Sequence, residues 1–243
     1  MKAVYGCDSI SARQRNEPAD GQEVGAIVED ILMTADSTWT EEEQAILARL
    51  DAPWKVQEYL DGIPYNTDHQ TRSPRRVLRD NRAHCIEGAI LAAAALRFHG
   101  HPPLLLDLRA ENDDDHVIAI YKVRGFVGAV AKSNFSGLRF REPIYRSYRE
   151  LAMSYFELYF NTIAEKALRS YSRPLNLSRF DRRQWMTTEE DLEWVGQQLD
   201  AMRHYPLIDH AMIQNLRPVD QRLYDAGFMG TDMAGVYQAK PRA

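Results

Sequence analysis

The chain has 243 residues, of which 44% are hydrophobic and 27% charged, and its formal net charge is -5. These values are typical of one globular domain with a sizeable apolar core. They argue against a nucleic-acid-binding protein, because such proteins usually carry a strongly basic surface.

Cysteine usage and hydropathy indicate the cellular setting. Only Cys7 and Cys85 are present, so a disulfide-stapled secreted domain is not expected. The first residues lack the apolar stretch of a signal peptide, and no run approaches the roughly 18–20 apolar residues of a membrane span. We therefore expect a cytoplasmic protein with a free thiol and no membrane partner. His99 and His101 lack the further ligands that a metal site needs, so neither a metal nor a cofactor is expected.

The N-terminal part of the chain predicts a lead-in followed by helices. Residues 1–21 are polar, which predicts a flexible lead-in. Thr40 with Glu43 three residues later is a capping-box signature, so a helix is expected to begin there. Apolar spacing or an early proline predicts further helices over Val24–Met33, Pro53–Leu60 and Pro74–Asp80.

The most apolar helical pattern begins at His84-Cys85 and ends before Gly100. Because it is apolar on nearly all sides, it predicts a helix buried in the core rather than an amphipathic surface helix. Asp80 or Asn81 is the expected N-cap. Cys85 would then lie at the start of the most buried helix of the protein.

A small sheet and more helices are predicted after Gly100. Arg124-Gly125 suits a two-residue hairpin turn between two strands. The predicted strands are Leu104–Leu108, Val117–Val123 and Phe126–Lys132, and the later helices are Ser147–Phe160 and a helix capped by Thr187 and Glu190 that ends near Met202. We expect an α+β fold with a single domain over residues 22–226 and a loose tail over residues 227–243.

Cys85 at a helix N-terminus is a candidate nucleophile. The unpaired N–H groups and partial positive charge there favour a thiolate and can hold an oxyanion. The alternative is a small buried residue, since free cysteine is often buried. His116 opens an apolar strand after three aspartates, and a histidine at a strand start can reach a helix N-terminus packed on the sheet. The aspartates, Asp113–Asp115, lack the alternating ligand spacing of a calcium loop and are interpreted as a solvated turn.

The order of these segments resembles the core of transglutaminase-like proteins over about residues 50–135. The resembling segments are Pro53–Gln57, Ile63–Asn66, the Cys85 helix ending in Leu96-Arg97-Phe98-His99-Gly100, Asp115–Tyr121 and Phe126–Val130. The resemblance implies a papain-like core in which a buried helix carrying the cysteine packs on a small antiparallel sheet, with extra helices on either side. It also implies that Cys85 is the nucleophile of a thioester mechanism and that His116 is the general base.

The third member of the implied triad departs from the family pattern. Where the family has an aspartate, this chain has Ala131-Lys132-Ser133-Asn134. With the hairpin turn at Arg124-Gly125, His116 would lie opposite Ser133, and Asn134 comes next. An asparagine can orient an imidazole, so Asn134 is favoured over Ser133. For the second oxyanion donor, Gln57 is favoured over the other polar or aromatic candidates, Trp54, Tyr65 and Asn66.

Three functions follow from these residues. The favoured one is a thiol-dependent hydrolase or acyltransferase acting on peptide-like amide bonds of a peptide or protein. The alternative, supported by the missing aspartate, is a catalytically inactive transglutaminase-like module that binds a peptide or partner protein. An acyltransferase resembling arylamine acetyltransferases is the weakest, because no acyl-CoA groove is indicated. The sequence leaves the oligomeric state open.

Overall fold

The computed structural model describes residues 39–241. Cys7, the predicted lead-in and the helix predicted over Val24–Met33 lie outside the described residues, as does the predicted domain start at residue 22. The helices are α1 (Glu41–Arg49), α2 (Pro53–Gly62), α3 (Pro74–Asp80), α4 (Cys85–Phe98), α5 (Tyr148–Met153), α6 (Glu193–Asp200), α7 (His210–Gln214) and α8 (Gln221–Gly227). Short 3-10 segments cover Phe156–Leu158, Leu177–Arg183 and Met233–Gly235.

The strands form one antiparallel sheet, which confirms the α+β class. They are β1 (Leu104–Ala110), β2 (His116–Val123), β3 (Phe126–Val130), β4 (Arg141–Tyr145), β5 (Leu168–Ser172), β6 (Leu175–Asn176) and β7 (His204–Pro206). The order across the sheet is β4-β3-β2-β1-β5-β7, with β6 paired to β1. Val123 pairs with Phe126, as the hairpin signal predicted. The ladder ends at the Ala119–Val130 pair, so the extrapolated pairing of His116 with Ser133 does not form.

Helix α4 lies on one face of this sheet at the centre of a hydrophobic core. Ile90, Leu91 and Leu96 are buried, and residues Val117 and Ala119 of β2 belong to the same core. Full burial of each such large apolar side chain contributes about 1.5–3 kcal/mol. The opposite face of the sheet packs a second core. The predicted buried helix is therefore confirmed, with Cys85 as its first residue.

Local hydrogen bonding changes several predicted boundaries. The N-cap of α4 is His84 rather than Asp80 or Asn81, because Asn81 adopts a left-handed conformation (φ 51°) that ends α3. The helix predicted over Ser147–Phe160 stops as an α-helix at Met153, where the Ser154 hydroxyl donates a hydrogen bond to the Leu151 carbonyl.

The last predicted helix and the tail also differ from expectation. Helix α6 begins at Glu193, whose N–H is bound by the Asp191 side chain, and not after Thr187. The segment after Gly227, expected to be loose, contacts the rest of the protein through Asn134 and Asn112. Among the described residues, no helix is both long and apolar enough to span a bilayer.

Candidate active site

Cys85 and His116 line the same cavity, which has a volume of about 540 Å³. Cys85 is the first residue of α4 and is partly exposed, whereas His116 is the first residue of β2 and is only 5% exposed. The sequence thus predicted two side chains that the fold brings to one pocket.

The Cys85 thiol lies against the backbone at the start of β2. Its sulfur is 4.0 Å from the carbonyl oxygen of Asp115. Burial raises the pKa of Cys85 to about 11, although the N–H groups of Val117 and Ile86 oppose this rise and Asp114 adds to it. At neutral pH the side chain is therefore a thiol in this conformation, and the start of α4 does not by itself produce the thiolate that its position favours.

The His116 imidazole is held by a backbone carbonyl. Its Nε2 lies 2.8 Å from the carbonyl oxygen of Leu138. Burial lowers the pKa of His116 to about 4; the bond to Leu138 opposes this and the nearby charge of Arg141 adds to it. The ring is thus neutral, and because a carbonyl only accepts, Nε2 must carry the proton. Nδ1 is then the basic nitrogen of the ring.

The geometry of β2 sets the direction of the imidazole. Val117 and Ala119 face α4, so by strand alternation His116 shares the other face with Ile118 and Ile120. There its ring meets the edge of Tyr159, with ring centres 6.4 Å apart. Among the hydrogen bonds of residues 39–241, none joins the Cys85 sulfur to His116. The two groups share the cavity without being paired in this state.

The Leu138 carbonyl occupies the place that sequence reasoning gave to Asn134. The Asn134 amide instead binds the backbone of Asp232 and Gly235. The Ser133 hydroxyl accepts a hydrogen bond from the Phe135 N–H. Both residues line the cavity, but neither is bonded to His116. A backbone carbonyl has no sequence signature, which explains why it was missed.

Gln57 also differs from its predicted role. Both ends of its amide bind the backbone of Ala131 at 2.9 and 3.0 Å, and its nitrogen donates to Asp61 as well. It is not among the residues that line the cavity, so the structure gives it the role of joining α2 to the end of β3. Of the other candidates, Tyr65 and Asn66 line the cavity, whereas Trp54 is half exposed on α2.

Lys132 belongs to the segment Ala131–Asn134, which contains no aspartate. Its ammonium donates to the carbonyls of Leu60 and Ile63 at the end of α2, at 2.7 and 2.5 Å. The side chain is 5% exposed, and burial lowers its pKa. The lysine thus binds carbonyls at the end of α2 that have no partner within the helix.

A scan against protein-family models and a search of the curated proteins gave no match for this chain. The assignment of the site therefore depends on its residues and their geometry.

One cluster that sequence reasoning missed fixes the start of α4. The carboxylate of Glu87, fully buried, accepts hydrogen bonds from the His84 N–H, the Asn66 amide and Arg72. Arg72 is 3% exposed and also binds Asp68 and Asp80. The available signal was Glu87 itself, a carboxylate within an otherwise apolar buried helix, which requires buried partners.

Acidic side chains border the cavity on another side. Asp113 and Asp114 line it, and the pKa of Asp113 is raised to about 7 by burial and by its acidic neighbours. Asp115 is held by the Ala110 N–H at 2.7 Å. No group of three or more metal-ligating side chains in the described part of the chain is placed to hold a metal ion.

Proposed function

We propose that the protein is a thiol-dependent hydrolase or acyltransferase that acts on peptide-like amide bonds. The observation that carries the proposal is that Cys85, at the first position of a buried helix, shares one cavity with an imidazole whose Nε2 proton is fixed by Leu138. That hydrogen bond leaves Nδ1 as a base for the thiol proton. The resemblance over residues 50–135 supports the same assignment, and with it a papain or transglutaminase-like core.

The proposed reaction uses groups of this chain alone. Nδ1 of His116 takes the thiol proton while the Cys85 sulfur attacks the carbonyl carbon of the amide. The oxygen of that carbonyl becomes an oxyanion, and the first N–H groups of α4 are suited to stabilise it. The imidazolium then gives its proton to the departing amine, leaving a thioester on Cys85. Water or a second amine attacks the thioester as His116 again accepts a proton, and the thiol is restored.

The protonation states of Cys85 and His116 in the described conformation determine what must change before the thiol can react. With the pKa of Cys85 near 11 and that of His116 near 4, transfer of the proton between them is strongly uphill in this conformation. Burial is the largest cause of both shifts. The proposal therefore includes one of two further steps. Either a rearrangement brings the two groups into contact and hydrates them, or the substrate carbonyl accepts the attack in concert with the proton transfer.

A non-catalytic binding module is the second candidate. The observation in its favour is that the described structure keeps the thiol and the imidazole neutral and not bonded to each other, and bonds the imidazole to a carbonyl rather than to a carboxylate. In that case the same cavity would bind a peptide without acylating Cys85.

Trapping of the thioester separates the two candidates. The full chain with Cys7→Ser is treated with p-nitrophenyl acetate at pH 8, and the acetylated peptide is located by mass spectrometry. We expect acetyl on Cys85 and at least about a hundredfold slower acetylation in His116→Gln, since a positioned base contributes about 10²–10⁴-fold. Equal rates in both proteins would overturn catalysis and favour the binding module.

A further inference from the structure

The C-terminal segment Thr231–Lys240, which we name the strap, forms one wall of the cavity. Ala234, Gly235, Val236 and Tyr237 line the cavity together with Cys85 and His116. A chain segment far from both residues in sequence therefore lines the proposed site.

One end of the strap is held by Asn134. The Asn134 amide nitrogen donates to the carbonyls of Asp232 and Gly235 at 2.7 and 3.2 Å, and its oxygen accepts from the Asp232 N–H at 2.9 Å. The Thr231 hydroxyl donates to the Asn134 backbone carbonyl at 2.9 Å. Asn134 is only 8% exposed, and its uncharged side chain joins the strap to the segment after β3.

The other end of the strap is held by Asn112, in the turn between β1 and β2. Its amide pairs with the backbone of Lys240 through two hydrogen bonds, of 2.8 and 2.9 Å. The Ala239 N–H donates to the Thr162 hydroxyl at 3.0 Å. The four strap residues that line the cavity lie between these two anchors in sequence.

Little else holds the strap in place. Of its ten residues, all of them described, only Val236 is buried, whereas five are exposed and the other four are partly exposed. The hydrogen bonds to the rest of the described chain run through the side chains of Asn134, Asn112 and Thr162 and through Thr231. A segment with few buried apolar contacts, whose hydrogen bonds are exposed or only partly buried, opens at low cost compared with the core.

We propose that the strap is a gate that controls access to Cys85 and that its release from Asn134 and Asn112 admits a peptide-sized substrate. Release would also let water reach the thiol and the imidazole. The inference deepens the proposed function by giving that site a means of regulation. Because access to a thiol does not require turnover, the gate can be tested without any substrate.

A substitution at Gly235 can displace the strap from the cavity. A Cβ at this position would lie 2.9 Å from the Tyr65 ring and 3.2 Å from the Asn134 amide, closer than ordinary contacts allow. Gly235→Ala therefore opposes closure by crowding both Tyr65 and the Asn134 anchor. Gly62→Ala is the matched control, since a Cβ there meets nothing within 4 Å. Asn112→Ala releases the opposite end of the strap.

The experiment measures labelling of Cys85 in the full chain with Cys7→Ser. Each variant is labelled at pH 9 with iodoacetamide and with a bulky fluorescein maleimide, and the ratio of the two rates reports the size of the opening. We expect Gly235→Ala and Asn112→Ala to raise the relative rate of the bulky reagent by about tenfold or more, and Gly62→Ala to leave it unchanged. Melting temperatures identify any variant that is globally unfolded.

Two results would overturn the gate. The first is an unchanged ratio in both strap variants. The second is an equal rise in Gly62→Ala, which would indicate general loosening. Repeating the series with His116→Gln separates this inference from the proposed function, because gating of access should persist even if His116 has no part in catalysis.

Discussion

The cavity has two walls that are held in opposite ways. The wall made by residues 65–71 and the start of α4 is fixed by a buried ionic cluster in which Glu87 and Arg72 are 0% and 3% exposed. The strap is held by neutral amides at its two ends and buries one apolar side chain. Under the two proposals, Cys85, the proposed nucleophile, lies on the firmly held wall, and the proposed gate is the weakly held one.

The largest expected effect is a loss of stability when the buried ionic cluster at the start of α4 is broken. Glu87→Ala removes an acceptor of the His84 N–H and Asn66 and leaves Arg72 without its fully buried partner. We expect a loss of about 3–5 kcal/mol in the free energy of unfolding, typical when one partner of a buried ion pair is removed. Urea denaturation measures it, with the exposed Glu58→Gln as the control expected to change stability by less than about 0.5 kcal/mol. A loss below about 1 kcal/mol for Glu87→Ala would mean that this wall is not fixed as described.

The next largest expected effect is the pH dependence of stability that the buried His116 imidazole produces. The pKa of His116 is about 4 when folded and about 6.5 when unfolded, so the folded state resists protonation. Its contribution to stability is present above pH 6.5 and is lost as the pH falls toward 4. The loss amounts to about 3 kcal/mol.

The measurement is the free energy of unfolding at a series of pH values between 7 and 4. We expect His116→Gln to flatten the dependence relative to the wild type, while His210→Gln, on an exposed side chain, leaves it unchanged. Parallel curves for the wild type and His116→Gln would show that the imidazole is not buried as a neutral group.

The smallest effect is expected at the strap. Asn134→Ala removes three hydrogen bonds between its side chain and Asp232 and Gly235. Each neutral hydrogen bond contributes about 0.5–1.5 kcal/mol. Their loss lowers the free energy of opening the strap, so hydrogen exchange of the Ala239 and Lys240 amides should accelerate by about tenfold or more. The Arg72 amide should keep its protection. Asn215→Ala, at an exposed asparagine, is the control, and unchanged exchange in Asn134→Ala would mean that the strap is held by other contacts.

Local patterns in the sequence predicted the elements that place Cys85 and His116. The Thr40–Glu43 capping box, the helix that begins at Cys85 and the Val123–Phe126 hairpin register are all confirmed. Each depends on residues close together in the chain, where spacing and turn chemistry determine the conformation. The cysteine and the histidine could therefore be brought to one region from sequence alone.

Features set by long-range contacts could not be predicted in the same way. The orienting group of His116 is a backbone carbonyl, of Leu138, which any residue supplies. Asn134 fits an orienting role by composition, yet the fold directs it to a segment about a hundred residues later. Gln57 is polar within an otherwise apolar helix pattern, and its amide binds the Ala131 backbone rather than the cavity. For Asn134 and Gln57 the sequence indicates a polar residue with a specific role, but the partner of each depends on the tertiary fold.

The pH dependence of Cys85 acetylation tests the central claim most directly. Initial rates with p-nitrophenyl acetate are measured from pH 5 to pH 9 for the wild type and His116→Gln, both with Cys7→Ser. The basic form of His116 is present throughout this range because its pKa is about 4, so the account predicts a nearly flat wild-type profile. In His116→Gln only the thiolate reacts, and its rate should rise about tenfold per pH unit toward the Cys85 pKa of about 11. Two superimposed profiles that both rise tenfold per pH unit would contradict a Cys85–His116 catalytic pair.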